Sequence, residues 1–232
     1  DLEEAQRLFA LARAADPGLA LAYAGAEEAC FFQSVGGYVE MPEATLAEGV
    51  RLARRAVELD SQDAFARYAL GRALTFVLDH TEAIAELQSA VELNPSFAQA
   101  YYALGFAFAY SGQPEDAIDP METAMRLSPH DPYIGQFMTH LAGALLFLHR
   151  HDQALDWARQ SLRQPNIQWS RWAMLISILG QMGETDEARQ SIDALERLRP
   201  GTDIAFVRDF WPISDAAAMD YLLGGLAKAG MT

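Results

Sequence analysis

The chain has 232 residues, 51% of them apolar, and its 17 basic against 32 acidic side chains leave a formal charge of −15. That charge balance repels nucleic acid, and no run of 18 or more apolar residues marks a membrane span. The single cysteine, Cys30, excludes an internal disulfide and fits a reducing, cytoplasmic setting.

In chain order, residues 2–15 read as a helix in which Ala5, Phe9, Ala12 and Pro17 stand at a spacing that recurs as Ala83, Leu87, Ala90 and Pro95. Residues 1–19 are therefore the second helix of a repeat whose first helix is missing, as expected of a piece of a longer protein. The next unit, 20–63, places helices at 19–33 and 43–59 and is ten residues longer than the units that follow. Its excess, 34–42, holds paired glycines and a proline and reads as a loop. Glu27 takes the place that later units give to glycine.

Units 64–97 and 98–131 say the same thing twice. Leu70 and Gly71 return as Leu104 and Gly105, Ala83 as Ala117, Ala90 as Ala124 and Pro95 as Pro129, each 34 residues later. Small residues let antiparallel helices approach, large apolar ones fill the seam, and the proline ends the second helix. A helix-turn-helix unit of this period resembles the tetratricopeptide repeat, TPR. Helices are expected at 62–78, 81–93, 96–110 and 114–127, the last kinked by the internal Pro120.

Unit 132–168 carries three extra residues near Pro132, which extend its first helix to 130–148 before a second at 152–162. Unit 169–202 places helices at 168–182 and 185–198. Beyond it, 203–210 and 215–228 read as two helices, split by Trp211 and Pro212, that cover the apolar end of the stack. The expected fold is thus an all-α TPR superhelix, a right-handed α-solenoid spanning 1–202, with a C-terminal helical cap at 203–232.

No catalytic constellation emerges: the sequence has no phosphate-cradling glycine loop, no nucleophile elbow and no zinc-protease histidine pair. His149 and His151 flank Arg150 beside Asp152, but at an inter-helix turn, where polar residues are simply solvated. Cys30 reads as a small core filler. No catalytic, cofactor or metal residue is assigned, and the fragment is not expected to be an enzyme.

What the repeat offers is a groove lined by first helices. The register points Phe65, Tyr68, Arg72 and Phe76 inward from the third unit, Tyr102, Phe106 and Tyr110 from the fourth, and Phe147 from the fifth. Such an aromatic group suits a protein or peptide segment, be it another domain of the parent chain, a second copy or a separate protein. Arg72 is the only basic inward residue. The lysine-rich clamp by which some TPR domains capture acidic C-terminal tails is absent.

A closer resemblance rests on Leu59 and Asp60 with Ala64, on the run Leu104 to Ala107, on Leu127, Ser128 and Pro129 with Asp131 and Pro132, and above all on the ending Leu222 to Gly230. These phrases are similar to the C-terminal TPR region of bacterial class III adenylate/guanylate cyclase-like proteins. The resemblance implies a signalling parent whose catalytic or winged-helix domain lies elsewhere. The cyclase's metal-binding and nucleotide-binding residues belong to that domain, and no residue here inherits them. An independent TPR scaffold or chaperone-like adaptor is the alternative.

Overall fold

A computed structural model describes residues 2–35 and 42–232, with side chains at 2–33 and 43–232. Most of the segment 34–42 read as a loop therefore lies outside the described residues. Among those described there are thirteen α-helices and no strand: α1 (Leu2–Ala15), α2 (Ala20–Val35), α3 (Pro42–Leu59), α4 (Ala64–Phe76), α5 (His80–Leu93), α6 (Ala98–Tyr110), α7 (Pro114–Leu127), α8 (Ile134–Phe147), α9 (His151–Ser161), α10 (Trp169–Met182), α11 (Thr185–Leu198), α12 (Ile204–Phe210) and α13 (Ala216–Lys228). They form two compact units, Asp1–Ala107 and Phe108–Thr232.

In the first unit α2 pairs with α3 and α4 with α5, while α1 packs on α2, and α4 on both α3 and α2. The seam is built from Ala24, Ala53, Ala56, Ala66, Ala69, Leu70, Leu74 and Ala83. Alanine here is a spacing device: a methyl group fills the contact and still lets backbones approach. Gly71 takes this further. A Cβ there would stand 2.5 Å from Leu87 Cγ and 2.9 Å from the Ala83 carbonyl oxygen. Gly71→Leu is accordingly expected to lower stability by about 1–3 kcal/mol through overpacking. An unchanged urea midpoint would contradict this packing.

One turn recurs along the chain. Leu78, Gly112, His149 and Gly183 follow α4, α6, α8 and α10 with φ of 65°, 85°, 56° and 79°. In each case the next residue's N–H, on Asp79, Gln113, Arg150 or Glu184, donates back to the carbonyl of Leu74, Phe108, Leu145 or Leu179. This left-handed closure satisfies carbonyls that the helix end leaves open. Glycine supplies it freely, whereas Leu78 and His149 hold it at a cost of about 1–2 kcal/mol each. The turn, rather than a ligand, is what accounts for the place of His149.

One local expectation is corrected. The first helix of the fifth unit begins at Ile134, not 130, because the Asp131 carboxylate accepts from Tyr133 N–H at 2.8 Å and from Ser128 Oγ at 3.2 Å, fixing a turn that the helix cannot enter. Pro120 stands inside α7, which runs to Leu127 as the sequence predicts.

In the second unit α8 pairs with α9 and α10 with α11, and α10 also packs on α8 and α9. Phe137, Leu141, Leu146, Met174, Ile176, Ile178 and Leu179 are sealed inside. So is Arg171, whose Nη1 donates to the carbonyls of Ser161 at 2.9 Å, Pro165 at 3.1 Å and Gln164 at 3.3 Å, closing the end of α9. The glycine at 135 on α8 leaves the volume that this guanidinium fills. The chain then turns back after α12. Ser214 N–H donates to the Tyr110 carbonyl at 3.0 Å, and α13 lies along α10 and α8.

Candidate protein-docking surface

The first-unit residues singled out by the register sit on first helices, and their exposures differ. Phe65, Phe76 and Tyr102 are half-buried. Tyr68, Arg72 and Phe106 are buried, at 6%, 6% and 7% exposure. The rings form a continuous strip: Phe31 lies 5.0 Å from Phe76, Phe76 stacks on Phe106 at 5.6 Å, and Phe106 meets Tyr102 at 6.2 Å. A second group joins Phe65, Tyr68 and Phe97, with Tyr68 and Phe97 4.9 Å apart. Aromatic pairs at these separations add to plain area burial and hold one another's orientation.

Beneath the strip lies a buried ion pair. Arg72 Nη2 donates to Glu27 Oε2 at 2.6 Å and its Nη1 to the Tyr68 hydroxyl at 2.9 Å, while Glu28 Oε1 stands 3.5 Å away. The guanidinium also lies 4.3 Å from the Phe31 ring centroid and 4.9 Å from that of Tyr68. Glu27 is 1% exposed. Burial pushes its carboxyl up to about 7 against the pull of Arg72. Burial likewise disfavours the Arg72 cation, yet Glu27 holds it above the ordinary arginine range. Arg72 is thus committed to Glu27 and braces α4 against α2. Sequence reasoning placed Arg72 but missed this partner; the available signal was an acid standing where the register calls for glycine.

The remaining two residues lie in the second unit. Tyr110 is fully buried, its hydroxyl hydrogen-bonded to His140 Nδ1 at 2.6 Å and its ring T-shaped to that of half-buried Phe147, with centroids 6.2 Å apart. Burial, reinforced by nearby Arg171, depresses the His140 imidazole to about 3, so it is neutral under ordinary conditions. The histidines at the α8–α9 turn meet an aromatic ring: His151 Nε2 is 2.8 Å from the Tyr221 hydroxyl, and His149 packs edge-on to the same ring at 4.5 Å. Among the described residues no group of three or more His, Cys, Asp or Glu is arranged to hold a metal ion, and no helix is long and apolar enough to cross a membrane. Cys30 is buried, and burial together with Glu27 raises its thiol to about 11, so it is held protonated and unreactive.

The family model for the TPR repeat matches residues 79–112. No curated protein matches the sequence. Among solved structures, the chain is similar to Pseudomonas aeruginosa pilF at 21% identity, covering 90% of this chain and 88% of that one with a TM-score of 0.62. It is also similar to the APC/C hetero-tetramer Cut9-Hcn1 at 17% identity, covering 97% and 40% with a TM-score of 0.72. A third is YrrB, described as a TPR protein with an unusual peptide-binding site, at 19% identity, covering 83% and 93% with a TM-score of 0.54. The chain therefore contains a TPR region, and its fold is the all-α TPR superhelix.

Proposed function

We propose that this chain is a non-enzymatic protein-interaction scaffold whose docking surface in the first unit is the half-buried rings of both aromatic groups, Phe76 and Tyr102 of the strip and Phe65 of the second group, backed by Tyr68, Phe106 and Arg72. The observation that carries the reading is the pairing of half-exposed rings with a rigid floor. A buried ion pair and stacked neighbours fix the rings before anything binds, which lowers the ordering cost of association. Phe147 is the half-exposed member in the second unit, whereas Tyr110 serves as packing. The peptide-binding site described for YrrB is compatible with such a role.

The finer reading, a regulatory region of a cyclase-like signalling protein, is supported by the Leu222 to Gly230 phrase alone. An independent scaffold fits the same surface.

Large aromatic anchors contribute about 2 kcal/mol or more each to an interface. The double variant Phe76→Ala/Tyr102→Ala is expected to lose at least about tenfold in recovery of a docking partner while keeping its helix content. Quantitative pull-down beside circular dichroism checks this. Equal recovery by two folded proteins would remove the strip from the proposal.

A further inference from the structure

The placement of α13 carries an inference independent of the first-unit strip. A helix that simply continued the stack would pack on both helices of the last pair, α10 and α11, as α4 packs on α2 and α3. Instead α13 lies along α10 and α8, both first helices, with its leading loop held at the Tyr110 carbonyl where α6 ends. It therefore runs over the face that first helices present in the second unit.

The contacts are those of a helix received by a prepared surface. Leu222 and Leu226 are fully buried and Leu223 nearly so. Along one edge of α10, Ser177 Oγ donates to the Leu222 carbonyl at 2.7 Å, Gln181 Nε2 donates to the Tyr221 carbonyl at 2.5 Å, and Gln181 Oε1 accepts from Lys228 Nζ at 2.7 Å. Between them Gly180 and Gly225 bring the two backbones together, since a Cβ on either would overlap the other helix's main chain. Both α10 donations reach main-chain carbonyls. They read the shape of a helix with a glycine at one position and leucines flanking it, rather than a particular polar side chain.

We infer that this face of the second unit is a helix-binding surface which the chain fills with its own α13, and that it accepts the same helix in trans from a second copy. The recognition element is the ridge of Leu222, Gly225 and Leu226. The covalent link that makes the occupant intramolecular is the short stretch 211–215. Supplying the helix from another molecule reproduces every contact named above, the usual basis for exchange between protomers.

The test uses the full chain and a synthetic peptide of residues 213–232. In hydrogen exchange on the unmodified chain, about a hundredfold excess of peptide is expected to speed exchange of the amides of Ala216–Lys228 severalfold while α8 and α10 stay protected. The peptide carrying Gly225→Leu is expected to have no effect. In a second arm, a protease site inserted at exposed Ser214 is cut in the folded chain. The released helix is expected to stay bound in gel filtration and to exchange for labelled peptide within hours. Unchanged α13 protection together with a cut helix that never exchanges, loss of helix signal on cutting, or equal uptake of both peptides would each overturn the inference.

Discussion

Arg72→Met is expected to destabilise the chain by about 3–5 kcal/mol, because it keeps the stem and removes the charge that faces buried Glu27. The loss follows from what is left behind: a carboxylate 1% exposed with its 2.6 Å partner gone. Glu27→Gln/Arg72→Met is expected to recover most of the loss, since an amide can be buried without a counter-charge. The pH dependence has a defined sign. Glu27 sits near 7 in the folded chain against an ordinary 4.5, so its contribution is fully present below about 4.5 and lost as pH rises through about 7. Without Arg72 to offset burial that loss deepens, so the gap between wild type and Arg72→Met opens as pH rises through about 7. Urea titrations at several pH values measure this. A gap that narrows with rising pH, or a double variant no better than the single, would contradict a charged pair.

The adjacent glycines of α13 are expected to respond in opposite directions. Gly225→Ala places a methyl group against the main chain of Ser177, with the Ser177 carbonyl carbon at 2.9 Å and Oγ at 2.5 Å. Backbone cannot rotate aside, so the helices must part and uncover Leu222 and Leu226. The cost is expected to be about 3 kcal/mol or more, at the top of the range for overpacking. At Gly224 a Cβ meets nothing nearer than Gln181 Nε2 at 3.8 Å. Gly224→Ala is therefore expected to be neutral or to stabilise by up to about 1 kcal/mol through helix propensity. Thermal melts of the two variants side by side decide the matter, and similar shifts in both would show that α13 is not seated as described.

The repeat was legible because its grammar is local. Thirty-four-residue returns of Leu70, Gly71, Ala83 and Pro95 locate α4 to α7 within a residue or two, since each mark acts on its own helix or the next one. The late start of α8 was not legible, because the Asp131 turn competes with a helix that propensity alone would extend backward. The floor of the aromatic strip was hidden for another reason: Glu27 and Arg72 are 45 residues apart across a segment of irregular length, so no fixed period links them. The path of α13 depends on longer reach still, with Ser214 returning to Tyr110 across 104 residues. Periodicity places these rings on first helices, but which of them stay open depends on neighbours that periodicity does not name.

Lys228 is the single lysine of the sequence, and it projects from α13 to Gln181. Every other basic side chain is an arginine. An amine-directed acylating reagent thus meets one ε-amino group, placed on the helix that lies across α10. Its rate of modification is a direct gauge of that helix's seating, and a dye attached there reports from a defined point without any residue being replaced.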